Sequence, residues 1–242
     1  MKHILARIGG EQNVKRDMVG KVVKKSELRR LLSRELTAAT RRGDLTEESA
    51  GISARIKHLI ERLVLAERSL GLTFPLRNEP NLMPLARELI AEGWRAYLPT
   101  CALHLPQALV WTEYKPANTD VKGGIDAVSM ADTPEPLPSG FFLDSNGVVA
   151  APTEFWPSEP YAPALWLIPG LGFDRQGYRL GRGGGYYDRA LAFYATMGEV
   201  TSVGVAFELS LLPEGSSVPR GKYDLPLDYI VTSREIIAPG SF

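Results

Sequence analysis

The sequence predicts an α/β fold, a three-layer α/β/α arrangement with a mostly parallel sheet, preceded by N-terminal helices. Two observations lead to this expectation. Short apolar segments alternate with helical patterns from residue 72 onward, which is typical of parallel strands joined by crossover helices. The segment Ala164–Ile168 is almost continuously apolar, as expected for a strand that is buried on both faces.

The N-terminal part of the chain contains two helical patterns. The first begins at Lys24 and ends at Gly43, and its apolar positions share one helix face: Leu28, Leu31, Leu32 and Leu36. A second helix is predicted from Thr46, where Thr46-Glu-Glu offers a capping start, to near Gly71. Its apolar stripe consists of Ile52, Ile56, Leu59, Ile60 and Leu63.

After Gly71 the predicted elements alternate. We expect strands at 72–74, 94–98 (stopped by Pro99), 109–114, 164–168, 202–207 and 229–232, and helices at 83–92 and 189–197. Residues 115–163 lack periodicity and are rich in Pro, Gly, Asp and Ser, which is typical of a functional flap or a loop-rich insertion. We therefore expect a loose leader at 1–20 and a single domain at 21–242 that carries this insertion.

Composition narrows the classes of function. The chain has 242 residues, 44% of them hydrophobic, and a formal net charge of zero, so its overall charge gives no argument for nucleic-acid or membrane binding. No apolar run is long enough to span a bilayer. Cys101 is the single cysteine, which excludes an intramolecular disulfide and indicates a reducing compartment. We expect a cytoplasmic monomer that acts on small molecules.

The charge is nevertheless uneven. Residues 1–42 contain twelve Lys and Arg but only four Asp and Glu. This pattern fits a basic RNA-binding arm, although a solvated amphipathic helix is the simpler interpretation. A transit peptide is a third interpretation, and the acidic residues argue against it because such peptides are poor in acids.

A glycine-rich loop, Arg179-Leu-Gly-Arg-Gly-Gly-Gly-Tyr-Tyr-Asp188, follows the strand at 164–168. Three consecutive glycines let backbone N–H groups approach an anion closely, and a following helix would direct its N-terminus at the same place. Arg179 and Arg182 can neutralise phosphate oxygens, and Asp188 offers an oxygen ligand suitable for Mg²⁺. Neither the P-loop nor the dinucleotide fingerprint fits, so a tight turn with packed tyrosines remains an alternative.

The string from Pro169 to Asp188 closely resembles the signature of the 5-formyltetrahydrofolate cyclo-ligase family, also called methenyltetrahydrofolate synthetases. Three further segments resemble the same family in the same order: Lys25-Ser-Glu-Leu-Arg29, Phe74-Pro-Leu-Arg-Asn-Glu79, and Val203–Thr232 with Tyr223-Asp224. The resemblance spans about residues 24 to 237 and is nearly absent between 115 and 160. Family members commonly have His where this chain has Tyr223.

The resemblance implies an ATP- and magnesium-dependent ligase that closes 5-formyltetrahydrofolate to 5,10-methenyltetrahydrofolate through a phosphorylated formyl intermediate, releasing ADP and phosphate. Such phosphoryl transfer rests on positioning and charge neutralisation rather than on a protein nucleophile. The sequence agrees, because it offers cations, glycines and carboxylates but no Ser/His/Asp or Cys/His set.

The resemblance also implies site residues. Contacts to ATP would come from Lys25, Arg29, Arg179, Leu180, Gly181, Arg182, Gly183, Gly184, Gly185, Tyr186 and Tyr187. Contacts to the folate would come from Phe74, Glu79, Arg182, Gly183, Gly184, Gly185 and Tyr186. The metal ligands would be Asp188 and Asp224, and the catalytic groups would be Arg182 and Lys25.

Several of these residues have simpler explanations. Lys25 can be a solvated lysine, Asp224 a turn residue before Pro226, and Glu79 the start of a helix. Two alternative functions stay open: a non-catalytic relative that binds RNA, and an ATP-dependent enzyme of the same fold that acts on another formyl or amide substrate.

Overall fold

The structure is a computed structural model that describes residues 24–43, 45–76, 78–101, 109–115, 142–143, 149–150, 161–196 and 200–240. The predicted leader at 1–20 and most of the predicted insertion at 115–163 lie outside these ranges. Within the described residues, no helix has the length and apolar character needed to cross a bilayer.

The helices and strands follow the predicted alternation. The helices are α1 (Lys25–Arg42), α2 (Thr46–Ile60), α3 (Met83–Ala91) and α4 (Tyr186–Tyr194), with a short 3-10 helix at Glu208–Ser210. The strands are β1 (Ser69–Leu72), β2 (Arg95–Cys101), β3 (Leu109–Tyr114), β4 (Phe142–Leu143), β5 (Val149–Ala150), β6 (Leu165–Pro169), β7 (Gly172–Phe173), β8 (Arg179–Leu180), β9 (Thr201–Val205), β10 (Tyr229–Val231) and β11 (Ile236–Ile237).

Seven strands form one sheet in the order β11-β10-β9-β6-β1-β2-β3. The five central strands pair in parallel, whereas β3 and β11 pair antiparallel at the two edges. The predicted mostly parallel sheet is therefore confirmed. Two small antiparallel pairs, β4 with β5 and β7 with β8, lie outside it.

The sheet separates two apolar layers because successive side chains of a strand point to opposite faces. In β6, Leu165 and Leu167 pack into the cluster that contains the buried faces of α1, α2 and α3. Trp166 and Ile168 pack into the cluster that contains α4. All five residues of β6 are buried, as its apolar sequence predicts. The three-layer α/β/α prediction is confirmed.

Several predicted boundaries were wrong. The strand expected at 72–74 is Ser69–Leu72, and the one expected at 202–207 is Thr201–Val205. Helix α2 ends at Ile60, not near Gly71, which lies within β1. Strand β2 continues through Pro99, where the expected stop would be. The last β2 residue in register with β1 is Tyr97, opposite Gly71. Beyond it, β2 is in register with β3, so the missing proline N–H is tolerated more easily. Helix α4 begins at Tyr186 instead of Arg189.

Gly71 makes a close approach possible between β1 and an indole ring. A Cβ atom on this glycine would lie 2.6 and 2.7 Å from ring atoms of Trp111, whose side chain is buried. We therefore expect Gly71→Ala to lower the free energy of unfolding by about 1–3 kcal/mol, the usual cost of overpacking a core. Urea denaturation would measure the loss. Gly240→Ala is the control, because no atom lies within 4 Å of its added Cβ, and an equal loss in both variants would contradict the prediction.

Candidate active site

A cleft of about 600 Å³ opens beyond the carboxyl ends of the parallel strands. Thr73 and Phe74 follow β1, and Pro169 and Gly170 lie at the end of β6. This is the edge of an α/β sheet where ligands bind. The other walls come from distant parts of the chain: Lys25, Arg29, Leu76, Glu79, Pro99, Leu109, the continuous run from Arg179 to Asp188, and Asp224. All predicted site residues therefore line one cleft.

The glycine-rich loop connects β8 to α4. Gly183 and Gly185 have φ values of +118° and +66°, in the region that disfavours residues with a Cβ, so glycine is needed at both positions. Gly185 is the N-cap of α4, and Tyr186 is the first helical residue. The glycines therefore lead directly into a helix N-terminus, whose N–H groups and dipole favour an anion.

Asp174 holds the turn before the loop in place. Its buried carboxylate accepts hydrogen bonds from the backbone N–H groups of Gln176 and Tyr178, each at 3.0 Å, and of Val218 at 2.8 Å. Burial raises the pKa of the Asp174 carboxyl above its ordinary value, and the three N–H donors oppose that rise. Asp174 therefore ties the β7–β8 hairpin to the later chain, a structural role.

Two arginines brace the loop through its carbonyl groups. Arg29 Nε donates to the Gly181 carbonyl at 2.8 Å, and Arg189 Nη2 donates to the Gly184 carbonyl at 2.8 Å. The Arg189 guanidinium also lies 5.4 Å from the centre of the Tyr186 ring. The family resemblance implies an ATP contact for Arg29, whereas Arg189 was missed as a residue of the loop region. Its position one residue after Asp188, in the first turn of α4, was the available signal.

Lys25 and Asp224 form an ion pair across the cleft, and the backbone N–H of Gly221 donates to the same carboxylate at 2.6 Å. Burial by itself would raise the pKa of the Asp224 carboxyl. The hydrogen bonds from Lys25 and Gly221, with the charges of Lys25 and Arg179, outweigh burial and hold the pKa below its ordinary value. Asp224 is thus a turn residue, as the simpler interpretation had it, and also an ionised group in the cleft.

A second ion pair joins the loop to the segment after β1. Arg182 Nε and Nη2 donate to one oxygen of Glu79 at 3.2 and 3.1 Å, and the other oxygen accepts the Leu76 N–H at 3.2 Å. Glu79 does not start a helix, because α3 begins at Met83. The pair closes one end of the cleft and places a nearly buried carboxylate beside a half-exposed cation.

A third ion pair lies in the glycine-rich segment itself. Arg179 Nη2 contacts both carboxylate oxygens of Asp188, at 3.1 and 3.2 Å. Together with Glu79 and Asp224, Asp188 gives the cleft three carboxylates. Within the described residues, no three His, Cys, Asp or Glu side chains are grouped around a possible metal position. A metal held here would take its remaining ligands from a bound molecule or water.

The sequence also offers three aromatic residues that could stack on a pterin, Trp111, Tyr114 and Trp156, although aromatic residues near loops are more often part of the core. Trp111 and Tyr114 are buried in the core, and Trp156 lies outside the described residues. Phe74 lines the cleft but is itself buried. Tyr223, which stands where the family commonly has His, is largely exposed beside Lys222. Sequence reasoning also missed cleft residues that carry no charge, among them Thr73, Leu76, Pro99, Leu109, Pro169 and Gly170.

Comparison with known proteins extends these observations. The model of the 5-formyltetrahydrofolate cyclo-ligase family matches residues 21–233. A protein of Mycolicibacterium smegmatis named 5-formyltetrahydrofolate cyclo-ligase is 28% identical over 222 residues, which cover 88% of this chain and 96% of that protein.

Two solved structures share the fold. The 5,10-methenyltetrahydrofolate synthetase of Aquifex aeolicus matches with a TM-score of 0.62 at 22% identity, covering 90% of this chain and 94% of that one. The synthetase of Mycoplasma pneumoniae matches with a TM-score of 0.57 at 17% identity, covering 88% and 100%. With the family match over most of its length, the chain belongs to the 5-formyltetrahydrofolate cyclo-ligase family.

Proposed function

We propose that this protein uses ATP and Mg²⁺ to close 5-formyltetrahydrofolate to 5,10-methenyltetrahydrofolate, releasing ADP and phosphate. The observation that carries the proposal is that one cleft, in a chain of this family, brings together two cations, the glycine-rich loop and three carboxylates. The cations are Lys25 and Arg182, and the carboxylates are Glu79, Asp188 and Asp224. These groups suit a triphosphate, a metal ion and a reduced folate, which are the three components of the reaction.

The nucleotide half of the proposal rests on the loop. Backbone N–H groups at 183–187 and the N-terminus of α4 would hold phosphate oxygens. Lys25 would place a compact positive charge beside the triphosphate, and Arg29 would keep the Gly181 carbonyl turned away from it. The ion pair of Lys25 with Asp224 would then separate, because the phosphate would bind the lysine more strongly.

The proposed metal site rests on two carboxylates. Mg²⁺ prefers one or two carboxylates together with phosphate oxygens and water, and the cleft offers Asp188 and Asp224. Before nucleotide binds, Lys25 and the Gly221 N–H hold the pKa of Asp224 below its ordinary value, so the carboxylate is already ionised when the metal arrives. The donor set therefore fits magnesium, which when bound would neutralise charge on the phosphates.

The folate half rests on Glu79 and the outer part of the loop. Glu79 would accept hydrogen bonds from pterin N–H groups, and Phe74 would support the ring with apolar surface. Arg182 would leave Glu79 to face the formyl oxygen and the transferred phosphoryl group. Binding of the folate is thus expected to open the ion pair that closes this end of the cleft.

The chemistry divides into two transfers. The formyl oxygen attacks the γ-phosphorus of ATP and ADP leaves, which converts a poor leaving group into phosphate. N10 of the folate then attacks the activated carbon, phosphate departs, and loss of the N10 proton leaves the methenyl bridge. Arg182 would hold the charge that builds up on the phosphoryl oxygens, and the cleft walls would keep N10 beside the carbon.

The decisive experiment mixes the protein with Mg-ATP and 5-formyltetrahydrofolate and follows methenyl absorbance together with phosphate release. We expect the two signals to rise in equal amounts. Tetrahydrofolate without the formyl group is the control and should give neither. Phosphate release without methenyl product would favour another formyl substrate, and silence in both signals would refute the proposal.

Lys25→Ala tests the assignment of this lysine to the nucleotide. We expect the KM for ATP to rise about tenfold or more, since a charge-assisted hydrogen bond contributes roughly 1.5–3 kcal/mol, while the KM for the folate changes little. Steady-state kinetics with each substrate varied in turn would measure both values. Lys24→Ala is the matched control, because its exposed side chain precedes α1. A larger rise in the folate KM would contradict the assignment.

A further inference from the structure

Arg179 differs from the other two paired cations of the cleft in its burial. Its side chain is 7% exposed, compared with 28% for Lys25 and 43% for Arg182. A cation that binds an incoming phosphate directly must present its donors to the open cleft. The buried guanidinium of Arg179 is therefore poorly placed to bind an incoming phosphate.

The contacts of Arg179 are made largely to the protein. Nη2 reaches both oxygens of Asp188, and Nη1 lies 3.5 Å from the Pro169 carbonyl at the end of β6. The guanidinium also lies 5.4 Å from the centre of the Tyr187 ring. One planar group thus connects a sheet strand to the first turn of α4, where Asp188 lies.

Gly181 shows how closely Arg179 is packed against the loop. A Cβ atom at Gly181 would lie 2.6 Å from Nη1, so the arginine occupies the space that any other residue would need. The carbonyl of the same glycine is held by Arg29. The turn at Gly181 is therefore fixed on one side by Arg29 and on the other by Arg179.

We propose that Arg179 is a positioning residue, which orients the Asp188 carboxylate and the Gly181 turn for the metal-bound nucleotide and makes no phosphate contact of its own. This role differs from the ATP contact that the family resemblance implies for it. It rests on the proposed function, which assigns Asp188 to the metal. A carboxylate has about four lone-pair sites, so one nitrogen that bridges its two oxygens leaves others for a metal.

The physical reason is the same as for other groups that orient metal ligands. A donor behind a ligating carboxylate fixes its rotamer, and loss of such a donor typically weakens metal binding about 10- to 100-fold. Lysine at position 179 would keep the positive charge but lose the planar fork. Arg179→Lys therefore separates orientation of Asp188 from simple attraction of phosphate.

The test measures ATP binding by calorimetry, with Mg²⁺ and with a chelator, in the wild type, Arg179→Lys, Asp188→Asn and the double variant. We expect Arg179→Lys to weaken Mg-ATP binding about tenfold and to leave metal-free ATP binding unchanged. In the Asp188→Asn background, the same substitution should have almost no further effect, because there is no carboxylate left to orient.

Other binding results would overturn the positioning role of Arg179. Equal weakening with and without metal, or full additivity with Asp188→Asn, would overturn the positioning role and indicate a direct phosphate contact. Absence of any Mg-ATP binding by the wild type would overturn the proposed function as well. Thermal unfolding checks the fold of each variant, and Arg179→Gln must show the same metal-specific loss.

Discussion

Replacing Arg182 with alanine is expected to lower kcat/KM for the cyclisation about 100- to 1,000-fold, the range measured when a group that stabilises transition-state charge is removed. Arg182 is half-exposed in the cleft, and its partner Glu79 lies at the end that we propose for the folate. A cation in this place can leave a carboxylate and follow the phosphoryl oxygens as charge develops on them. Methenyl absorbance at varied folate concentration would measure the change.

The expected loss of kcat/KM is large because the Arg182 charge would act on the phosphoryl oxygens in the transition state. Removing Arg182 leaves the nearly buried Glu79 carboxylate without its cation and costs some stability, so thermal unfolding must show that the variant remains folded while catalysis falls steeply. Arg34→Ala is the control, since this exposed arginine of α1 pairs with its neighbour Glu35 and does not line the cleft among the described residues. A loss in Arg182→Ala no greater than that of the control would remove Arg182 from the mechanism.

The largest expected effect on stability belongs to Trp166. Its side chain is fully buried in β6, and its ring centre lies 4.7 Å from that of Trp111 and 5.4 Å from that of Tyr194. Its indole N–H donates to the Pro163 carbonyl at 2.8 Å. Trp166→Ala would leave a cavity between the sheet and α4, and we expect a loss of about 3–5 kcal/mol in the free energy of unfolding.

Equilibrium denaturation in urea would measure this loss as a shift of the midpoint. Phe193→Ala is the matched control, because this aromatic residue lies on the same α4 but is 52% exposed. Its cost should stay within about 0.5 kcal/mol, as is usual for surface sites. Similar losses in the two variants would mean that the cluster behind β6 does not stabilise the domain as its burial indicates.

Local patterns predicted the elements that form the centre of the fold. The apolar run of β6 and the stripe of α1 were recognised because their burial requires that sequence pattern. The end of α2 was missed for a physical reason. Leu63 and Leu65 still pack against the core after the helix has ended, so apolar spacing continues where helical geometry does not.

The start of α4 was missed because glycine has two roles. Three consecutive glycines favour a loop, yet Gly185 in the left-handed region begins the helix at the next residue. The strands β7 and β8 were also not expected. Each has only two residues, which is too short for an alternating pattern to be visible.

The candidate site was predicted residue by residue only through the family resemblance. The residue types indicated an anion cradle, but no local pattern could pair Lys25 with Asp224 or Arg182 with Glu79, because these partners are 199 and 103 residues apart. A local sequence pattern also could not show that the Arg179 side chain contacts Asp188. The tertiary fold decides which cation meets which carboxylate.

The long separation between Lys25 and Asp224 also has a consequence for synthesis in the cell. At about 5–20 residues per second, a ribosome needs roughly 10–40 s to add the intervening chain. During that interval α1 can form, but the lysine has no partner. Assembly of the cleft must await β9, β10 and the segment between them. The proposed nucleotide ligand would then stabilise only the finished domain, so it would act late in folding rather than as an early guide.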